Sequence, residues 1–172
     1  MAEGIAWVEP PGLAGAIGML SLPGLVIARR GERFVDGALQ EEVLDALAAR
    51  RTVLLVSLLD DGECDPDEIE DLGHAAEARS IALLAAPIPD FSAPDQRLAW
   101  PALIERLAGD LRQGQRIAFC CLAGYGRSGM MAARLLIATG STPEAAITAV
   151  RTARPGAIES EEQVAYLLSC AP

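Results

Sequence analysis

Arg116-Ile117-Ala118-Phe119-Cys120-Cys121-Leu122-Ala123-Gly124-Tyr125-Gly126-Arg127-Ser128-Gly129 joins a short apolar run to the start of a helical pattern through a glycine-spaced loop. Arg116–Cys120 reads as a strand and Ser128–Thr139 as a helix. A tight loop between them aims several backbone N–H groups at one point, and the helix N-terminus adds partial positive charge there. Gly124 and Gly126 are expected to supply the unusual dihedrals that such a nest requires. Leu122, Ala123, Gly124, Tyr125 and Gly126 are therefore candidate binding residues for an anion, with Arg127 able to give two parallel hydrogen bonds to phosphate oxygens. Helix N-termini and nearby cations favour thiolate over thiol, which suits Cys121 to in-line attack on phosphorus. Ser128 is placed to hydrogen-bond the sulfur and help it leave. The expected course is a phosphocysteine that water then hydrolyses, a scheme needing neither metal nor cofactor.

Upstream of this stretch, strand and helix patterns alternate. Ile5–Val8 and Ile17–Leu20 read as edge strands or a hairpin, Thr52–Leu58 and Ile81–Ile88 as strands, and Ala38–Arg50, Asp67–Arg79 and Asp95–Gln113 as helices. Leu39, Val43, Leu44 and Leu47 mark the apolar face of the first helix, and Trp100, Ile104, Leu107 and Leu111 that of the third. Pro143–Arg154 and Glu161–Ser169 complete the helices. The alternation implies an α/β fold, a central mostly parallel sheet with helices on both faces, over a single domain at 1–172. Right-handed crossovers then bring the loops after Ile88 and after Cys120 to one sheet edge.

That edge needs a proton donor, because an alkoxide or phenolate leaves poorly. Pro87-Ile88-Pro89-Asp90-Phe91-Ser92-Ala93-Pro94 is stiffened by its prolines and offers Asp90 as the acid. Asp95 competes, but Ser92 and Asp95 have capping-box spacing before the long helix. Phe91 and Tyr125 are candidates for the pocket mouth. Arg29, Arg30 and Arg33 read as a solvated loop, and His74 as a helix surface residue.

Composition narrows the function. With 172 residues, 51% hydrophobic and 22% charged, the chain is globular. A net charge of −10 argues against nucleic acid as partner, but a local pocket can still be positive. No apolar stretch is long enough for a membrane span, and Glu3 and Glu9 stand where a signal peptide would be basic. Four cysteines without CxxC spacing point to free thiols and a cytoplasmic location, and the single histidine has no ligand-like spacing for zinc.

Several of these motifs in this order resemble the protein tyrosine and dual-specificity phosphatase superfamily. Within it, the chain is similar to the cyclin-dependent-kinase-inhibitor-associated phosphatase branch and its bacterial relatives. The resemblance rests on Leu22-Pro23-Gly24, the segment ending in Asp90, the Cys-x5-Arg loop with Ser128, and Arg154-Pro155-Gly156-Ala157-Ile158-Glu159. It implies Cys121 as nucleophile, Arg127 as phosphate clamp, Asp90 as general acid and Gln163 near the site. Gln163 fits a capping box with Ser160 equally well. One departure stands out: Cys120 occupies the position before the nucleophile where the family usually has histidine.

The implied substrate is a phosphorylated protein. Two alternatives stay open: a small-molecule phosphatase for inositol phosphates, lipids or nucleotides, and a phosphate-binding pseudophosphatase. Gly124-x-Gly126-x-x-Gly129 also matches a dinucleotide fingerprint. No second strand follows it, and that reading leaves Cys121 and Arg127 unused.

Overall fold

Runs rich in Val, Ile and Leu build one five-stranded sheet: β1 (Ala6–Val8), β2 (Ala16–Ser21), β5 (Thr52–Ser57), β6 (Ala82–Ala85) and β7 (Arg116–Cys121). The computed structural model describes residues 4–170, so Glu3 and the two ends of the expected 1–172 domain lie outside it. Strand order is β1-β2-β7-β5-β6, parallel throughout except for the antiparallel edge strand β1. The expected β1–β2 pair is present, but β2 is interior, because its other side pairs with β7 from Ala16–Arg116 to Ser21–Cys121. A separate hairpin, β3 (Leu25–Ile27) with β4 (Arg33–Val35), precedes the first helix and carries Arg29 and Arg30 in its connection.

Helices cover both faces. On one lie α1 (Gly37–Ala49) and α2 (Pro66–Glu77); on the other lie α3 (Trp100–Arg112), α4 (Gly126–Ala138), α5 (Pro143–Ala153) and α6 (Glu161–Ser169). The pleat of β7 divides its side chains between the two layers. Ile117, Phe119 and Cys121 join the core under α3–α6, whereas Ala118 and Cys120 join the core under α1 and α2. Among the described residues no helix is long and apolar enough to cross a membrane.

Local chemistry moved some boundaries. Helix α3 starts at Trp100 rather than Asp95, and no Ser92–Asp95 capping box forms. Asp95 instead accepts from the backbone N–H of Arg97 and pairs with its guanidinium, a local arrangement that competes with helix. Pro101 then sits in the first turn, where its missing N–H costs nothing. Strand β6 ends at Ala85, short of the expected Ile88. Ala86 and Ile88 still donate to the carbonyls of Ser57 and Leu58, and Pro87 and Pro89 have no N–H to continue a ladder. On α1, Leu39 is exposed, and the buried face is Gln40, Leu44 and Leu47.

Candidate active site

Three carboxyl-end loops of the sheet converge beneath α4. The loop leaving β7 turns sharply at Gly124, whose φ is +78° and whose missing Cβ would lie 2.3 Å from the Ser21 nitrogen. This close passage over the end of β2 brings the Gly124 N–H to within 3.2 Å of Cys121 Sγ. Ser128 Oγ lies 3.6 Å from the same sulfur. Gly126 adopts ordinary negative φ, contrary to expectation. Its glycine is required by space, since a Cβ there would come within 2.6 Å of Glu159 Oε2 and 3.1 Å of Gln163 Nε2.

Arg127 turns back under the loop and is 1% exposed. Its Nη1 donates to the Ile88 carbonyl at 3.0 Å and to Glu63 Oε2 at 2.5 Å, and its Nη2 to Glu63 Oε1 at 2.8 Å. Asp90 Oδ1 lies 3.2 Å from Nη2, while Nε is buried and has no partner. Burial works against the charged guanidinium, but Glu63, Cys121 and Asp90 outweigh it, and the net shift in pKa is upward. Sequence reading did not single out Glu63. The available signal was a carboxylate in the loop after Thr52–Leu58, on the edge already assigned to the site.

Asp90 also accepts from the Phe91 N–H at 3.0 Å. Phe91 itself is 54% exposed at φ +58°, a conformation that costs a non-glycine residue about 1–3 kcal/mol. Ser160 Oγ donates to the Phe91 carbonyl at 2.5 Å, and the Ala93 N–H donates to Glu162 Oε1 at 3.0 Å, so the start of α6 braces this segment. Asp95, the competing acid, is held away by Arg97, which bridges it to Asp60.

The remaining expected residues divide. Leu122 lines a cavity beside the hairpin, and Ala123 is exposed, its carbonyl 3.5 Å from Arg154 Nη2. Tyr125 is exposed, with the Arg154 guanidinium stacked 4.2 Å from its ring centroid. Gln163 is fully buried beside the loop. It forms the capping box with Ser160, its Oε1 accepts from the Glu159 N–H at 2.9 Å, and its Nε2 has no partner. Both readings of this residue are thus compatible with its position. Cys120 is buried among Leu20, Leu44 and Leu55, and burial, with the Cys121 sulfur adding to it, pushes its thiol up to about 12. It faces away from the cradle. Cys64, next to Glu63, donates to Glu68 Oε2 at 3.0 Å, and burial followed by that carboxylate raises its thiol to about 12 as well.

A mostly parallel sheet with a strand–loop–helix unit at its carboxyl edge, and a cysteine at the base of that loop, fits the dual-specificity phosphatase class that the family comparison identifies. Residues 35–141, more than half of the chain, match the model of a family described as polymorphic toxin system, DSP-PTPase phosphatase, and the chain belongs to that family. Cyclin-dependent kinase inhibitor 3 of Rattus norvegicus is 37% identical over 109 residues, which are 62% of this chain and 51% of that protein. The mouse protein matches at 37% over 108 residues, so the chain spans about half the length of the curated relatives it matches.

Among solved structures, kinase associated phosphatase with its catalytic-site cysteine replaced by serine superimposes with a TM-score of 0.77. That alignment covers 95% of this chain and 90% of the other at 24% identity, a likeness of fold. Tk-PTP in its active form gives a TM-score of 0.63 at 27% identity, covering 95% of each chain.

Proposed function

We propose that this chain hydrolyses phosphomonoesters through a phosphocysteine on Cys121, acting on phosphorylated protein side chains. The reading rests on one arrangement: Cys121 Sγ lies against a loop amide, and a buried Arg127 keeps one edge unpartnered while Glu63 fixes another. A guanidinium offers two N–H forks. Glu63 takes the Nη1/Nη2 fork, which leaves Nε and the adjacent Nη2 hydrogen for two phosphate oxygens. A bound phosphate takes over the Nη2 contact that Asp90 makes, freeing the carboxyl for the ester oxygen.

In the first step the Cys121 sulfur bonds to phosphorus as the phosphorus–oxygen ester bond breaks. Asp90, in its protonated form, gives its proton to the departing oxygen. In the second step water attacks phosphorus, Asp90 takes a proton from it, and the sulfur leaves as a thiolate that accepts a hydrogen bond from Ser128. Loop amides and the start of α4 stabilise the charge on the transferring group.

Exposed Phe91 and Tyr125 beside a cradle with one arginine favour a single phosphate on a side chain over a polyphosphorylated small molecule. Cys120 weighs against a pseudophosphatase, because its side chain leaves β7 on the face opposite Cys121 and packs in the core under α1 and α2. Four unpaired thiols support a reducing, cytoplasmic setting.

The test is metal-free hydrolysis of p-nitrophenyl phosphate in reductant by wild type and Cys121→Ser. Turnover in wild type that disappears in the variant, with phosphate binding retained, is the expected result. A folded wild type that binds phosphate without turnover would overturn the catalytic reading.

A further inference from the structure

Two buried donors have no task in the proposed reaction, and both line one cavity. It lies between α3, α4 and α6, has a volume of about 460 Å³, and shares no lining residue with the Cys121–Ser128 loop. Trp100, at the start of α3, is 6% exposed, and its indole Nε1 is enclosed without an acceptor among the described residues. Arg134, in the second half of α4, has an equally enclosed and unpartnered Nη1. Its guanidinium has no carboxylate partner among the described residues either. Enclosed donors are ordinarily paired, and leaving one bare is unfavourable. Two in a single cavity mark a place built for an acceptor from outside the chain.

The surrounding groups narrow what that acceptor is. Asp95 is the one carboxylate lining the cavity, and it is already held by the Arg97 guanidinium at 2.7 Å and by the Arg97 N–H at 2.9 Å. Tyr166 stands beside Arg134, but burial and then the Cys170 sulfur hold its phenol above the usual range, so it brings no charge to the guanidinium. One cation is thus left uncompensated, which matches one negative charge. Asp95 at the wall and a net charge of −10 both oppose a dianion. Leu98, Pro101 and Ile104 supply an apolar wall, as a pocket that takes a largely hydrocarbon ligand requires.

We propose that this cavity binds an apolar monocarboxylate, held at its charged end by Arg134 with the Trp100 indole N–H as second donor, and packed along Leu98, Pro101 and Ile104. The proposal is independent of the phosphatase reading above.

Phenylbutyrate, phenylbutanol and phenylbutylamine share one apolar body and differ in charge, and titrating each into the full chain by calorimetry tests the assignment. A ligand of this size should bind with a Kd of about 1 mM, and the acid should bind about tenfold or more tighter than the alcohol, with the amine weakest. The other tryptophan, Trp7, packs against Arg50 on β1, so an emission change on adding the acid that is absent in Trp100→Phe reports this cavity. Trp100→Phe keeps the ring and loses the N–H, and should weaken the acid about fivefold. Arg134→Gln should reduce the preference for acid over alcohol to about twofold, whereas Arg134→Lys, which keeps the charge, should retain most of it.

Inorganic phosphate added in excess should leave the affinity for the acid unchanged; displacement by phosphate would place the acid in the cradle and overturn the proposal. Equal binding of acid and alcohol, a preference that survives Arg134→Gln in a protein with wild-type circular dichroism, or no emission change at ten-millimolar acid would overturn it as well. Should Arg134→Gln fail to fold, the ranking of the three compounds on wild type and the Trp100→Phe comparison decide the matter without it.

Discussion

Glu63→Ala probes whether the clamp is held from behind. Arg127 is 1% exposed and its partner Glu63 17%, so the substitution strands a guanidinium that keeps backbone contacts only to Ile88 and Leu58, with Asp90 beside it. Removing one partner of a fully buried pair costs about 3–5 kcal/mol, and partial solvent access to Glu63 brings this case below that range, to about 2–3 kcal/mol. Activity should fall further than stability alone explains. Without the Glu63 fork, the Nε edge is no longer fixed toward the cradle, and a misplacement of about 1 Å costs on the order of 10²-fold in rate. Urea denaturation and p-nitrophenyl phosphate kinetics measured on the same preparations separate the two effects. Glu63→Gln, which keeps an acceptor but loses the charge, should fall between wild type and alanine in both. If Glu63→Ala matches wild type in kcat/KM while remaining folded, Arg127 is positioned by its backbone contacts, and the role argued for Glu63 is wrong.

Three further outcomes are expected. Asp90→Asn should reduce turnover of a phosphotyrosine peptide by about 10²-fold or more and that of p-nitrophenyl phosphate by much less, because nitrophenolate leaves without a proton; equal losses would remove Asp90 as the acid. Gly124→Ala should abolish the loop geometry, since a Cβ would stand 2.3 Å from backbone at positive φ, and retained phosphate binding by calorimetry would contradict that. The Cys120 thiol lies near 9.0 when unperturbed and is raised to about 12 in the fold, so its contribution to stability is full below pH 9 and is lost as pH rises towards 12. At ~1.4 kcal/mol per pH unit the loss should reach ~2 kcal/mol by about pH 10.5. Urea melts of Cys120→Ala should lack that component, and parallel pH profiles for the two proteins would refute it.

Patterns with a short range were legible in the sequence. The apolar run Thr52–Leu58 has the continuous character of a strand covered on both faces, and it is interior, as is the strand read at Arg116–Cys120. The inward face Trp100, Ile104, Leu107 and Leu111 was right even though the helix begins five residues later than expected, because burial fixes a face more firmly than an end. The shortfall at 95–99 came from a side chain: Arg97 reaches both Asp95 and Asp60, a contact between segments 37 residues apart that local spacing cannot display. The hairpin of β3 and β4 was missed for the related reason that three-residue strands leave almost no period to read.

The Cys-x5-Arg spacing acquires its meaning only from the neighbouring strands. Within the loop, the Gly124 amide returns to Cys121 Sγ and Ser128 Oγ reaches the same atom from the first turn of α4, so half of the site is local and could be inferred from a single stretch. Arg127 is different. Its guanidinium meets the Ile88 carbonyl, which lies beyond the end of β6, and the Glu63 carboxylate, which follows β5. Those partners are available because β7 lies beside β5, with β6 next in order, and all three strands end at one edge. Moved to the sheet's outer side beyond β1, the same Cys121–Gly129 segment would keep a cysteine under backbone amides, but its arginine would have neither acceptor to hold it. The topology therefore selects which edge of Arg127 is occupied and which is left open, and the open edge is the one the proposed mechanism assigns to phosphate.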